Sequence, residues 1–160
     1  LKEARRRGRT VTFDLIAASA ETIGIVEPLL PFIDYFMPSI EEAKDMSGRA
    51  TAEDCARYYL DHGAKACVFT LGGDGAFYAD SSGTRLSQKA FDIDVVDTTG
   101  CGDAFDAGMI AALHHGMDTE TALRFAQATA GLVATGLGSD AGITSFEHTL
   151  DAMKSWKVKS

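Results

Sequence analysis

Cysteine, proline and tryptophan are scarce in this sequence. Its 160 residues include three cysteines, three prolines and one tryptophan. Cys55, Cys67 and Cys101 are odd in number and show no paired spacing, which argues against a disulfide framework and against a zinc site. We therefore expect a reducing, cytoplasmic setting.

Positive charge is also scarce. The sequence has 15 Lys and Arg residues and 23 Asp and Glu residues, which gives a formal net charge of −8. Nucleic acids and anionic membranes both select basic surfaces, so neither is expected as the main partner. The one basic cluster, Arg5-Arg6-Arg7 with Arg9, is short and is interpreted as a solvated helix end. No apolar run approaches the roughly 20 residues that a membrane helix needs, and the first residues lack the pattern of a signal peptide.

Helix and strand patterns alternate along the chain. Strand patterns cover 10–15, 34–37, 65–71, 75–80, 84–88 and 92–96. Helix patterns cover 21–31, a segment capped by Ser39, 52–61, the residues after 100 up to about 115, 119–135 and 145–156. This alternation, with near-continuous apolar strands, predicts an α/β fold with a mostly parallel central sheet covered by helices. In such sheets ligands bind beyond the carboxyl ends of the strands.

The segment VVDTTGCGDAFDAG, residues 95–108, holds more glycine and more carboxylate than a strand-to-helix turn requires. Gly100, Cys101 and Gly102 present backbone N–H groups where a helix begins, and the helix dipole adds positive charge there. Such a turn suits an anion, most naturally a phosphate. Asp103 can accept a proton from an alcohol while those N–H groups hold the charge on a transferred phosphoryl group. A glycine-rich turn in which Asp103 only complements the helix dipole is the alternative.

The stretch DTTGCGDAFDAGM within this region closely resembles the carboxyl-terminal signature of the ribokinase-like (PfkB) carbohydrate kinases, D-T-x-G-A-G-D-x-F. The resemblance implies that Asp103 is the catalytic base, which deprotonates the sugar hydroxyl that attacks the terminal phosphate of ATP. It also implies that Gly100, Cys101 and Gly102 form the anion hole. Cys101 stands where alanine is usual, and we interpret it as an inert small residue. A thiol with a lowered pKa at the helix start is the alternative.

Two further segments resemble the nucleotide-binding parts of the same family. TLGGDG resembles its T-x-G-x-x-G loop, which implies ATP contacts for Thr70, Gly72 and Gly75. PSIEEA resembles its P-N-x-x-E segment, which implies that Ser39 and Glu42 lie near ATP and that Glu42 helps to organise Mg²⁺. A helix-capping box is the alternative for this pair.

The segment FAQATAGLVATGLGSDAG resembles the last segment of the family, which lies against the adenine. This implies ATP contacts for Gln127 and Gly138, with ordinary polarity of a helix face as the alternative for Gln127. Some members bind a monovalent cation beside the signature. The resemblance therefore leaves open a K⁺ ion held through Asp97 and Thr99.

The resemblance covers nearly all of this chain but only about the carboxyl-terminal half of a typical member. We therefore expect residues 1–160 to be the carboxyl-terminal portion of a ribokinase-like kinase domain, without the amino-terminal part of the fold and the lid. The resemblance implies Mg²⁺-dependent phosphotransfer from ATP to a hydroxyl of a small sugar or sugar-like substrate, and it leaves a homodimer open. A non-catalytic nucleotide-binding fragment is the alternative. A Rossmann dehydrogenase is disfavoured because no G-x-G-x-x-G opens the first strand–helix unit.

Overall fold

The structure, a computed structural model, describes residues 1–160 and contains seven α-helices, three 3-10 helices and five strands. The α-helices are α1 (Lys2–Arg6), α2 (Ile23–Val26), α3 (Ile40–Ser47), α4 (Ala52–Asp61), α5 (Cys101–His114), α6 (Thr119–Ala134) and α7 (Phe146–Ser155). The strands are β1 (Thr12–Phe13), β2 (Tyr35–Phe36), β3 (Ala66–Thr70), β4 (Ala76–Asp80) and β5 (Arg85–Gln88). The 3-10 helices are Ala20–Thr22, Glu27–Phe32 and Gly72–Asp74. None of the helices combines the length and the apolar composition needed to cross a lipid bilayer.

The five strands form one sheet in the order β1-β2-β3-β4-β5. The pairs β1–β2 and β2–β3 are parallel. Only five residues connect β3 to β4 and four connect β4 to β5, too few for a parallel crossover, so these neighbours run antiparallel. The predicted α/β class is confirmed, and the sheet is mixed.

The chain divides into two compact units. The first consists of Leu1–Leu71 and Phe77–Ser87, and the second consists of Gly72–Ala76 and Gln88–Ser160. The first unit therefore holds most of the sheet with α1 to α4, whereas α5, α6 and α7 belong to the second.

The core of the first unit is built on aromatic side chains of β2, α4 and β3. Phe36, Tyr59 and Phe69 are all fully buried. The Phe36 and Tyr59 rings meet edge to face at 4.7 Å between centroids. The Tyr59 hydroxyl donates to the backbone carbonyl of Ala43 in α3 at 2.8 Å, so the polar end of this ring is also paired. This packing fixes β2 and β3 within the first unit.

Asp34 joins the amino ends of the three parallel strands. Its carboxylate accepts the N–H of Val11 at 2.9 Å and forms ion pairs with Arg5 at 2.8 Å and Lys65 at 2.6 Å. Burial alone would raise the pKa of Asp34, but hydrogen bonds from Lys65 and Val11 and the charges of Lys65 and Arg5 lower it overall. These contacts hold the end of the sheet opposite to the carboxyl ends of the parallel strands.

We expect Asp34→Asn to lower the free energy of unfolding by about 1–3 kcal/mol near neutral pH, because a mostly buried charged acceptor loses its partners. The wild-type protein should also lose stability in acid. The pKa of Asp34 is lower in the folded chain, so its contribution is complete above the unfolded pKa of about 3.9 and disappears as pH falls through the folded pKa. Urea unfolding between about pH 2 and pH 7 measures both effects. An Asn variant with the wild-type stability and pH dependence would contradict this role.

The predicted helix over 21–31 is wrong as one continuous α-helix. The structure has a 3-10 turn, the short helix α2, and a second 3-10 helix over Glu27–Phe32. Pro28 and Pro31 fall within that last segment. Because proline has no N–H and clashes with the preceding turn, these residues prevent a regular α-helix. The first predicted strand is also shorter than expected and is confined to Thr12–Phe13.

The predicted strand over 92–96 is also wrong. Phe91 makes one antiparallel bridge with Val158. The N–H of Val96 donates to the carbonyl of Ala134 at 2.7 Å, at the last residue of α6. Val96 is 58% exposed. The alternation in DIDVV imitates a strand, but the backbone of this segment bonds to a helix end.

The second unit depends on close contact between α5 and α6. Gly108 of α5 lies so near α6 that a Cβ added to it would be 2.5 Å from Oγ1 of Thr129 and 2.9 Å from the Cα of Ala126. The Thr129 hydroxyl is itself satisfied by the Phe125 carbonyl at 2.9 Å. This approach fixes the direction of α5, and therefore the position of its first turn within the second unit.

Candidate active site

The helix α5 begins in the glycine-rich segment singled out from the sequence. Gly100 is its N-cap and has φ +78°, a left-handed conformation that favours glycine. A Cβ added to Gly100 would lie 2.5 Å from the Cβ of Ser139, in the loop after α6. Asp103 lies in the first turn of the helix and is exposed. The close approach at Gly100 therefore sets the position from which Asp103 projects.

The backbone donors of this turn are not equally available. The N–H of Cys101 donates to the carbonyl of Thr98 at 3.2 Å, so one predicted anion-hole donor is used within the turn. The N–H groups of Gly102 and Asp103 lie in the first turn, where a helix supplies no carbonyl to accept them. Gly102 is exposed, and a Cβ added to it would meet nothing within 4 Å. The N–H groups of Gly102 and Asp103 are therefore open to an acceptor from outside the helix, and the predicted anion-hole role of Gly100 stays a prediction.

Asp97 links this turn to the loop after α6. Its Oδ1 accepts the N–H of Thr99 at 2.9 Å and the Thr99 hydroxyl at 2.8 Å, and its Oδ2 accepts the N–H of Gly138 at 3.2 Å. These bonds, led by the one from the Thr99 backbone, lower the pKa of Asp97. The structure thus brings together three predicted site residues, Asp97, Thr99 and Gly138. The carboxylate of Asp97 accepts hydrogen bonds from the other two.

Cys101 directs its thiol into the second unit. The residue is half-buried, and its Sγ lies 3.5 Å from the carbonyl oxygen of Ala130 in α6. Burial raises the pKa of this thiol, and the charge of Asp97 raises it further. The contact with Ala130 and the raised pKa of the thiol together favour an inert small residue over a reactive thiolate at this position.

We expect iodoacetamide to alkylate Cys101 several-fold more slowly in the folded protein than in the urea-unfolded protein, because the thiolate is the reactive form and a raised pKa depletes it. Timed alkylation followed by mass spectrometry of the Cys101 peptide measures the two rates. The unfolded chain at the same pH is the control. Equal rates in the two states would contradict the protected thiol.

The first unit brings Ser39, Glu42 and Thr70 together. Ser39 and Thr70 form a parallel bridge that continues β2 and β3, which places both at the carboxyl edge of the sheet. The Ser39 hydroxyl accepts the N–H of Glu42 at 3.3 Å and donates to its Oε2 at 2.7 Å. Glu42 also accepts the backbone N–H of Ser39 at 3.1 Å and of Ala18 at 3.3 Å. The capping box is therefore formed, and both oxygens of Glu42 have protein partners.

The predicted nucleotide loop forms a tight exposed turn in the second unit. Residues Gly72–Asp74 form a 3-10 helix, and the N–H of Gly75 donates to the carbonyl of Gly72 at 3.2 Å. Gly75 has φ +115°, and a Cβ added to it would lie 1.9 Å from the carbonyl oxygen of Gln88. Glycine is therefore required at Gly75 both by its backbone conformation and by the close approach of Gln88.

Gln127 contacts Gln88, which packs against this turn. It is only 8% exposed, and its Nε2 donates at 3.1 Å to the same Gln88 carbonyl that Gly75 approaches. The side chain of Gln88 donates in turn to the carbonyl of Glu120 at 2.7 Å. Gln127 thus supports the turn through Gln88. The sequence did not reveal the role of Gln88, because a single polar residue at a strand end is too common to be noticed.

No group of three or more His, Cys, Asp or Glu residues in the chain is arranged to hold a metal ion. Mg²⁺ in nucleotide enzymes commonly keeps several waters and is bound by one or two carboxylates together with the substrate phosphates. A Mg²⁺ ion bound in this way does not need a group of three protein ligands.

The sequence pattern of the family described as pfkB family carbohydrate kinase matches residues 1–145. The chain belongs to this family. This pfkB-family chain is 28% identical over 153 residues to 2-dehydro-3-deoxygluconokinase of Bacillus subtilis strain 168, a match that covers 92% of the chain and 47% of that relative.

Solved structures agree with the pfkB-family assignment. Ribokinase from Thermotoga maritima matches with a TM-score of 0.82 and 30% identity, over 97% of this chain and 52% of that one. An Escherichia coli protein described as a ribokinase II and solved with ATP and Mg²⁺ matches with a TM-score of 0.83 and 25% identity, over 96% and 51% of the two chains. The predicted ribokinase-like fold is confirmed. The pfkB-family chain spans about half the length of these proteins.

Proposed function

We propose that this protein carries the nucleotide-binding and catalytic part of a carbohydrate kinase, which transfers the γ-phosphate of ATP to a hydroxyl of a sugar or sugar-like molecule. The observation that carries the proposal is the start of α5. There an exposed carboxylate, Asp103, shares one turn with the N–H groups of Gly102 and Asp103, within the region that matches the family. The E. coli neighbour solved with ATP and Mg²⁺ supports the same nucleotide and ion here.

In the proposed mechanism Asp103 is the general base. Its carboxylate takes the proton of the acceptor hydroxyl as that oxygen attacks the γ-phosphorus of ATP, and the bond from the γ-phosphorus to the β–γ bridging oxygen breaks to release ADP. The N–H groups of Gly102 and Asp103, at the positive end of the α5 dipole, stabilise the charge on the transferred phosphoryl group. Cys101 contributes through its backbone, which closes the turn onto Thr98. A bound Mg²⁺ ion would neutralise part of the phosphate charge.

The other residues proposed to contact ATP are described separately for the two units. In the first unit, Ser39 and Thr70 lie at the carboxyl edge of the sheet, where α/β sheets bind ligands. Glu42 acts on Mg²⁺ indirectly, because its oxygens already accept backbone hydrogen bonds. In the second unit, the residues assigned to ATP are Gly72, Gly75, Gly138 and, through its support of the turn, Gln127. The K⁺ site at Asp97 and Thr99 stays a prediction.

The proposed partner is a small molecule. The net charge of −8 disfavours nucleic acid and anionic membranes. Three cysteines that are all free suit the proposed cytoplasmic setting. The similar proteins are named for different sugars, a deoxy-gluconate and ribose, so the acceptor has to be identified by experiment. A homodimer stays a prediction.

The test is Mg²⁺-dependent formation of ADP from ATP by this chain with a panel of sugars, sugar acids and nucleosides. We expect at least one acceptor to raise ADP formation above the rate without acceptor, and EDTA to abolish the increase. ATP binding in calorimetry without turnover of any acceptor would contradict this expectation. It would favour a second candidate, a nucleotide-binding unit without catalysis.

The second candidate is supported by the share of its relatives that the chain spans, about half. The intact denatured mass of the protein from its natural source separates the two cases. A mass near twice the 17.0 kDa of this chain would place the activity in the longer protein. A mass near 17.0 kDa together with binding but no turnover would establish the non-catalytic unit.

A further inference from the structure

A cationic side chain from the carboxyl-terminal tail contacts the exposed turn at Gly72–Asp74. The Nζ of Lys159 donates to the carbonyl oxygen of Gly73 at 2.9 Å, across a sequence separation of 86 residues. Both residues belong to the second unit. The match to the family covers residues 1–145, so Lys159 lies beyond the matched residues.

The backbone of the tail is held in place. It runs antiparallel to the segment before the glycine-rich motif: the N–H of Asp92 donates to the carbonyl of Lys157 at 2.8 Å, and the N–H of Lys159 donates to the carbonyl of Ala90 at 2.9 Å. Between these two bonds, Phe91 is buried. The direction of the Lys159 side chain is therefore set by two backbone hydrogen bonds and a buried aromatic residue.

Lys159 approaches Gly73 closely. A Cβ added to Gly73 would lie 3.2 Å from Nζ of Lys159. The ammonium would then have to move by a few tenths of an ångström, which the end of a flexible exposed side chain can do.

The ammonium group of Lys159, bound to the Gly73 carbonyl, changes the turn in two ways. It polarises the peptide that joins Gly73 to Asp74, which makes the N–H of that peptide a stronger donor. It also brings a positive charge to a turn that carries the Asp74 carboxylate, on a chain with a net charge of −8. A polyanion that approaches the turn therefore meets less repulsion.

We propose that Lys159 is a positioning residue for nucleotide binding: it holds the Gly73 carbonyl and supplies the turn with positive charge for the phosphate-bearing end of the nucleotide. This inference rests on the proposed function, in which Gly72 and Gly75 contact ATP. Lys159 takes no part in proton transfer. Its removal therefore weakens nucleotide binding.

The test is calorimetric titration of the chain with ADP and Mg²⁺. Lys159→Met should weaken binding by about 3- to 10-fold, because the turn loses a positive charge whose attraction for phosphate is largely screened by water. Lys159→Arg keeps the charge and the donors, and should recover at least half of the loss on a logarithmic scale. The matched control is Lys157→Met, which removes the same charge from the same tail and should change affinity by less than about twofold.

The outcomes separate this inference from the proposed function. Equal affinities of wild type and Lys159→Met, or equal losses in Lys159→Met and Lys157→Met, would overturn the role of Lys159 while the proposed function stands. Failure of the wild-type chain to bind ADP would overturn both. All variants should unfold within about 0.5 kcal/mol of wild type, since these side chains lie at the surface. A loss of affinity with unchanged stability and rescue by Arg is the expected result.

Discussion

Asp103→Asn should reduce phosphotransfer by about 100- to 10,000-fold, the usual contribution of a general base. Asparagine has nearly the shape of aspartate but cannot take the proton of the acceptor hydroxyl. Because Asp103 is exposed in the first turn of α5, the fold should tolerate the change. The loss of its interaction with the helix dipole should cost only about 0.3–1 kcal/mol. A coupled assay for ADP, run at saturating ATP with the identified acceptor, measures the effect.

The matched control is Glu147→Gln, which removes an acid from the first turn of α7 in the same unit. This variant should lose a comparable interaction between a carboxylate and a helix dipole, and it should keep its turnover. ADP affinity in calorimetry should remain within about threefold of wild type for both variants. Turnover retained in Asp103→Asn would refute its assignment as the base. A loss of nucleotide affinity as large as the loss of turnover would show that this carboxylate acts in binding.

Gly100→Ala should destabilise the protein by about 2–5 kcal/mol and strongly weaken ADP binding. The left-handed conformation at φ +78° costs an L-residue about 1–2 kcal/mol. The added methyl would also lie 2.5 Å from the Cβ of Ser139, so the loop after α6 or the start of α5 must move. Such a clash usually costs about 1–3 kcal/mol more. Urea unfolding and calorimetry with ADP measure the two losses.

Gly102→Ala is the control. We expect it to raise the stability of the protein, whereas Gly100→Ala lowers it. A Cβ at Gly102 meets nothing within 4 Å, and its φ is not in the left-handed region. Alanine should therefore stabilise α5 by about 0.5–1 kcal/mol through its higher helix propensity. Similar destabilisation by the two substitutions would show that the close approach of Gly100 to Ser139 is not what requires glycine.

The features that could be predicted from the sequence are those whose causes are local. The spacing of Ser39 and Glu42 offered a capping box as the alternative to a nucleotide contact, and the box is formed. The helix pattern over 119–135 predicted α6 to within one residue. The motif from Asp97 onward placed the start of α5 correctly, since glycine and a first-turn acid specify a helix start within a few residues.

The features that could not be predicted depend on partners far away in the sequence. The segment DIDVV has the alternation of a strand, but the N–H of Val96 bonds to the end of α6. The N–H of Cys101 was expected to face an anion and instead closes onto Thr98. Gln127 was expected to contact the nucleotide and is buried against the Gln88 carbonyl. Residue type and spacing do not reveal which of several nearby acceptors a donor will use.

The pairing of the tail with Ala90 and Asp92 matters to anyone who produces this protein. An affinity tag fused directly to Ser160 would extend from the residue next to Lys159, and a polyhistidine tag would bring its own metal and charge to that position. Nucleotide affinities measured on such a fusion would report on the tag as well as on the chain. A cleavable tag joined to Leu1 is attached to the first unit, to which neither Lys159 nor Gly73 belongs.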